Sequence, residues 1–290
     1  MGEGGEPWVN GASMNNQGVE FTVSFKSDPS SEFQWAVSAN IGTYKTELTD
    51  LPSNVINKYA GDGVHDLILG RSPNSAYGLV ADGIFKTQEE VDAHADQPGK
   101  AVGRIRYKDL DGDGVINETY DRTWIGCYDP DFFGGLNFDF AYKGFDLNLF
   151  FEGMFGNDVN SDWKKESDIW LFTNPAWKNH ATRMLGGWSP DNPNSDIPAI
   201  SNNTANQEQR FSSWFIEDGS YIKLRNIELG YTFPTKLIKK MHMSNLRLYA
   251  AAYNVFTLKK FWGDDKYTSF DPERPSYHYL TPFTFNFGIN

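Results

Sequence analysis

Residues 135–155 read GLNFDFAYKGFDLNLFFEGMF, and the alternation within them governs the reading of the whole chain. Leu136, Phe138, Phe140 and Tyr142 fall on one side of an extended backbone, and Asn137, Asp139 and Ala141 on the other, because successive side chains of a strand point to opposite faces. After the tight turn YKG (142–144) the period resumes: Phe145, Leu147, Leu149 and Phe151 oppose Asp146, Asn148, Phe150 and Glu152. Two such ribbons joined by so short a turn predict antiparallel neighbours with one apolar and one polar face.

The same period recurs along the chain. Val19, Phe21, Val23 and Phe25 alternate with Glu20, Thr22, Ser24 and Lys26; Phe33, Trp35, Val37, Ala39 and Ile41 alternate with polar or small residues; Phe283, Phe285, Phe287 and Ile289 close the sequence. YIKLRNIELGYTF (221–233) starts with Ile222 and Leu224 on one face and continues with Ile227, Leu229, Tyr231 and Phe233. That slip of phase near Arg225–Asn226 predicts a β-bulge. With NLRLYAAAYNVF (245–256), amphipathic as far as Leu248, the count is seven strands.

Connections of two kinds join them. SDPS (27–30) and YKG are tight turns, and PTKLIKKMHM (234–243) is a short helical turn; between them run excursions of roughly 43–130, 157–218 and 259–278. Helical pieces are expected inside these, at LPSNVINKYA (51–60), at TQEEVDAHAD (87–96) with Thr87 as N-cap and Glu90 at N3, and at NSDWKKESDIWLF (160–172). A soluble sandwich would also show one apolar face per strand, so alternation alone leaves both architectures open. Strict alternation of short and long connections, with aromatics at 16%, favours a transmembrane β-barrel, whose turns are short at one membrane surface and long at the other.

Composition narrows the function. A net charge of −12 with no basic, aromatic-interleaved run argues against nucleic acid as a main partner, since phosphate binding needs a basic face. One cysteine, Cys127, excludes a disulfide framework and a multi-cysteine metal site. No stretch approaches the ~20 apolar residues of a membrane helix, which leaves barrel strands of about 9–11 residues unaffected. GEGGEPWVNG after Met1 has neither the basic start nor the apolar core of a secretory signal. The motifs HExxH, GxSxG, GxGxxG and the P-loop are missing, and His65, His94, His180, His242 and His278 never stand at metal-ligand spacing. An enzyme is not expected.

DLDGDGVINETYDRTWIG (109–126), followed by YDPDFFGGLNFDFAYKGFDLNLFFEGMFGND, together with SYIKLRNIELGYTFPTKLIKKMHMSNLRLYAAAYNVFTLKKF and the closing TFNFGIN, resembles the SusC/RagA-like TonB-dependent outer-membrane transporters. The likeness covers nearly all strand-forming parts, in order. It implies an all-β fold: about seven antiparallel C-terminal strands of a 22-stranded transmembrane barrel, residues 1–290 forming one C-terminal segment without the N-terminal plug and remaining strands. It further implies the outer membrane of a Gram-negative bacterium, import of glycans or oligopeptides, and a SusD-like lipoprotein lid. The remaining partners implied are outer-membrane lipid, the rest of the barrel, the plug, and TonB acting through the plug. One departure is the end of the chain at Asn290, where family members usually run on to a terminal aromatic. A soluble or surface-anchored β-rich glycan-binding or adhesive module is the alternative, and a split or truncated reading frame is a third possibility.

Two groups of residues carry candidate chemistry. Asp109, Asp111 and Asp113 hold positions one, three and five of an EF-hand-like loop and Gly114 the sixth, which would turn three carboxylates inward around Ca2+. Val115 offers a carbonyl, Asn117 a side-chain ligand and Asp121 an acid one place beyond the standard twelfth position. With no helix on either side, a structural ion or a plain Asx-type turn is expected rather than a sensor. Trp163, Trp170, Trp177 and Trp188, with Trp214 nearby, crowd one excursion. They would contact substrate or lid, or form that loop's own core. Asp139, Asp146, Asn148 and Glu152 would line the inside of a barrel.

Overall fold

The structure is a computed structural model, and it describes residues 11–52, 67–169, 180–201, 203–259, 270–275 and 280–290. In chain order the strands begin with β1 (Ser13–Lys26), β2 (Phe33–Asp50), β3 (Ser75–Leu79) and β4 (Ala81–Ile84), then helix α1 (Gln88–Ala93), β5 (Ile105–Tyr107) and β6 (Arg122–Cys127). The pair β7 (Phe132–Tyr142) and β8 (Phe145–Phe155) follows, then β9 (Asp158–Asn160), α2 (Asp162–Asp168), β10 (Ile216–Asp218) and β11 (Tyr221–Thr232). Helix α3 (Thr235–Ile238), β12 (Arg247–Lys259) and β13 (Thr284–Ile289) complete it. Two compact units result. One holds Met1–Gln17, Lys45–Asp129 and Trp163–Ile216; the other holds Gly18–Tyr44, Pro130–Asp162 and Glu217–Asn290.

The second unit is built on a seven-stranded sheet of order β1-β2-β7-β8-β11-β12-β13. Each member lies beside the sheet strand next to it in sequence, the up-and-down pattern that tight turns impose. The expected count of seven is met. The turn between β7 and β8 shows why: Tyr142 pairs with Phe145, and the two residues between them, Lys143 (φ 47) and Gly144 (φ 88), both adopt the left-handed conformation. Two consecutive positive φ values are the mark of a type I′ turn, whose twist matches that of the flanking strands.

Register turns the sequence alternation into two continuous surfaces. One row runs Trp35, Phe140, Leu147, Leu229, Ala250, Phe287; the next runs Val37, Phe138, Leu149, Ile227, Ala252, Phe285. This apolar face is not covered: Phe21 is 61%, Phe287 79% and Ile289 72% exposed. Among the described residues no second sheet presses against it to make a sealed sandwich interior. The expected bulge lies between Leu224 and Asn226, on the pairings of β11 with both β8 and β12. Arg225 is the extra residue, so Lys223 and Asn226 share the polar face although their positions differ by an odd number.

The first unit has its own core. Leu79, Ile84, Ile105, Tyr107, Ile116, Ile169 and Phe215 are buried together, with Trp188 and Trp214 packed against them. Two small sheets, β3 with β6 and β4 with β5, lie within the excursion at 43–130. Sequence reading left that stretch without strands, and ended the second strand at Gly42 where β2 continues to Asp50. Short strands of three to six residues carry too little alternation to be recognised. Helix α1 meets expectation: the Thr87 hydroxyl accepts the Glu90 amide at 3.3 Å, and the Glu90 carboxylate accepts the Lys86 amide at 2.7 Å. The helical stretches at 162–168 and 235–241 also form. Most of LPSNVINKYA lies outside the described residues. None of the described helices is long and apolar enough to cross a membrane, which bears on helices alone.

Candidate functional site

The polar face of the large sheet is cross-braced. Asn148 donates to Asn137 at 3.0 Å and to Asp139 at 2.7 Å, and accepts from Asn226 at 2.9 Å. Beside this network, toward the β7–β8 turn, Arg247 donates to Asp146 and, at 2.7 Å, to Glu228. Asp139, Asp146, Asn148 and Glu152 therefore share one face, as the alternation requires, with their side chains engaged by neighbouring strands.

A denser cluster surrounds the bulge. Tyr221, Lys223 and Arg225 rise from β11, Glu152 from β8, and the segment Phe270–Pro275 lies over them. Arg225 donates to Glu152 through Nε (2.9 Å) and Nη2 (3.0 Å), and also to Glu273. Lys223, 1% exposed, donates to both carboxylate oxygens of Asp271 at 3.1 and 3.2 Å and to Glu273. The Tyr221 hydroxyl shares its one proton between Glu152 and Glu273, each at 3.2 Å. Burial of the Asp271 carboxyl acts to raise its pKa, but the Lys223 ammonium prevails and holds it below the usual carboxylate range. Sequence reading included Glu152 and missed the other five. The available signal was a pair of cations two apart on a strand's polar side, together with an acidic DPE triplet (271–273) in a distant loop.

The acidic turn lies in the first unit. Asp109, Asp111 and Asp121 each bring a carboxylate oxygen within 4.8 Å of the others. Asp121 is fully buried and accepts the amides of Leu110 (2.8 Å) and Asn117 (2.7 Å). Asp109 accepts those of Gly112 (2.7 Å) and Gly114 (2.9 Å); against the loss of hydration these bonds keep its carboxyl below the ordinary range. Asp111 accepts the Asp113 amide, yet lost hydration and the charges of Asp113 and Asp121 push its pKa up. Asp113 and Asn117 direct side-chain oxygens to backbone amides of Val115, Thr119 and Tyr120, and the Val115 carbonyl faces the Asn117 amide at 3.4 Å. Three of the six candidate ligands thus converge, and the other three shape the turn.

Trp163 and Trp188 are both partly buried. Trp188 packs on the core of its unit and beside Gly103, where a Cβ would lie 2.7 Å from the indole. Trp170 and Trp177 lie outside the described residues. The same unit buries an ion pair that the sequence did not reveal: Arg104 to Glu208 at 2.7 Å, each side chain 6% exposed, with the Ile105 amide donating to Glu208 at 2.8 Å. Burial raises the Glu208 pKa and lowers that of Arg104, so the pair is held by geometry against a desolvation cost.

Comparison with known proteins places this architecture. No family model matches the chain. TonB-dependent receptor P3 of Formosa agariphila is 31% identical over 87% of this chain and 25% of its own length. TonB-dependent receptor SusC of Bacteroides thetaiotaomicron is 26% identical over 87% of this chain and 24% of its own. The chain therefore spans about a quarter of the length of the curated relatives it matches. Among solved structures, the RagAB peptide transporter aligns over 91% of this chain and 27% of its own with a TM-score of 0.67 at 23% identity. The RagAB peptide importer in its open-open state aligns with a TM-score of 0.64 at 21% identity, over 90% of this chain and 26% of its own. These two show a shared fold. Sequence kinship and fold agree: the chain matches the SusC/RagA-like TonB-dependent receptors, and its seven-stranded sheet corresponds to a C-terminal segment of their β-barrel.

Proposed function

We propose that this chain supplies wall and outward loops to an outer-membrane importer of glycans or oligopeptides in a Gram-negative bacterium, working with a SusD-like lipoprotein lid. The supporting observation is the apolar face that runs in register from β2 to β13 and is largely exposed, backed by an ion-paired polar face. In water so large an apolar patch is a liability; against hydrocarbon it is the ordinary outside of a barrel, with the polar side turned to the lumen. The edges β1 and β13 carry backbone groups that pair with the rest of the barrel, because open edges are not tolerated in lipid. No bond is made or broken by this segment. It confines the path and shapes the mouth, while energy enters through the plug and its contact with TonB.

In the outward loops, Asp109, Asp111 and Asp121 hold a structural Ca2+, whose charge offsets the repulsion that pushes Asp111 up. Trp163 and Trp188 present their exposed edges to lid or substrate. Maleimide labelling of the receptor in native outer membranes tests the wall: cysteine in place of Phe138 should react only with a lipid-soluble reagent, and cysteine in place of Asn148 with a water-soluble one. Equal reaction of both with the water-soluble reagent would refute the reading. Calorimetry tests the ion: heat at millimolar calcium, lost in Asp111→Ala, is expected, and no heat in the parent refutes it.

A further inference from the structure

The cluster at the bulge is unbalanced within the sheet. Elsewhere on the polar face a sheet cation is matched by sheet carboxylates, as Arg247 is by Asp146 and Glu228. Around the bulge, among the described residues, the strands offer Lys223, Arg225 and the Tyr221 hydroxyl but a single carboxylate, Glu152. Lys259, paired across from Tyr221, donates to the Phe270 carbonyl at 2.8 Å and so ties the same segment to β12. The deficit is filled by Asp271 and Glu273 of the connection between β12 and β13. These two acids come from one short segment held by its own turn, with the Arg274 amide donating to the Asp271 carbonyl at 3.0 Å and the Glu273 amide to the Asp271 side chain at 3.1 Å.

A strand that sets donors at positions 221, 223 and 225 on one face, with only one of its neighbours' acids to meet them, is a carboxylate-binding surface. We propose that Tyr221, Lys223 and Arg225 form a binding site for the carboxylates of an acidic ligand, and that Asp271 and Glu273 occupy it as an internal substitute until such a ligand displaces them. The bulge is what makes the site: it adds Arg225 to the polar face without displacing Asn226 from its bond to Asn148. The substitute is tethered, so it acts at a high effective concentration. Only a ligand offering at least two carboxylates in one reach replaces both of its acids, which sets a threshold against single-acid solutes. Displacement needs nothing but differential affinity for the uncovered state. The inference rests on the importer reading, in which this face lines the path.

Purified intact receptor is the material for the test, with a tetraglutamate peptide and tetragalacturonate as probes and a tetraglutamine peptide as neutral control. Asp271→Asn with Glu273→Gln should raise affinity for the acidic probes at least about tenfold, since the competitor is gone, and adding Arg225→Gln should abolish the gain. Which acidic probe binds distinguishes peptide from sugar as the source of the carboxylates. In the otherwise unaltered receptor, spin labels at Gln34→Cys and Arg274→Cys in a Cys127→Ser background give a second reading that does not depend on the neutralised variants folding. Either acidic probe should shift that distance distribution, and the neutral one should leave it unchanged. The proposal is overturned if neither acidic probe shifts the distribution, or if the gain in affinity survives Arg225→Gln. The importer reading is judged separately, by the labelling of positions 138 and 148.

Discussion

Replacing Asp121 by Ala removes the fully buried carboxylate that closes the acidic turn from the inside. Its two oxygens accept the amides of Leu110 and Asn117 at 2.8 and 2.7 Å, and no part of it reaches solvent. Alanine leaves both amides without that acceptor. Hydrogen bonds to a charged group contribute about 1.5–3 kcal/mol each, and an unsatisfied buried donor costs about 1–3 kcal/mol. Partial relaxation lets water reach some of the exposed groups, so the expected loss of local stability is about 2–5 kcal/mol. At about 1.36 kcal/mol per factor of ten, opening of the turn becomes more frequent by roughly 30-fold to several thousand-fold. Asp121→Asn keeps one acceptor and should lose roughly half as much free energy. Hydrogen exchange of peptides covering 105–121, on the intact receptor in detergent with calcium chelated, reads this directly. Peptides from β7 and β8 should not change, since Asp121 belongs to the other unit. Unaltered exchange at 105–121 in the alanine variant would show that the carboxylate does not hold the turn, and would remove the basis for placing it at an ion.

Three further outcomes are expected. Phe138→Arg, midway along β7 on the apolar face, should cost about 2–4 kcal/mol as a charge near the bilayer centre, whereas Phe150→Arg on the polar face should be tolerated; the yield of heat-modifiable, assembled receptor reports both, and equal loss would contradict the assigned faces. Gly144→Val places a branched side chain at φ 88 and should cost at least about 1–2 kcal/mol, while Lys143→Asn at φ 47 should be neutral or favourable; urea unfolding midpoints rank the three proteins. For Asp271 the folded pKa lies below the ordinary 3.8. Its contribution to the latch is therefore fully present above that value and lost as pH falls through the folded value, with Lys223, Glu273, Arg225, Tyr221 and Thr281 the groups around it. The distance between labels at positions 34 and 274 should stay constant from pH 7 to about 5 and broaden only below about 4; broadening that begins above pH 6 would assign the latch to another group.

The amino-acid sequence alone determined the parts of this protein that repeat locally. Alternation in GLNFDFAYKGFDLNLFFEGMF names two strands, their faces and the turn between them, because side-chain direction along a strand has a period of two and needs no partner to be read. The phase slip at Arg225 located the bulge for the same reason, and the Thr87–Glu90 pair located a helix start. Tertiary structure alone decided what depends on distance in the chain. Lys223 and Asp271 stand 48 residues apart, Arg104 and Glu208 104 apart; charges so separated carry no mark of one another in sequence, and any of the 38 acids could have met any of the 26 cations. The acidic turn fell between these cases. Its residues are contiguous and were found, but which of their oxygens converge and which serve backbone amides is set by how the turn closes on Asp121, and burial of that one side chain is a property of the fold.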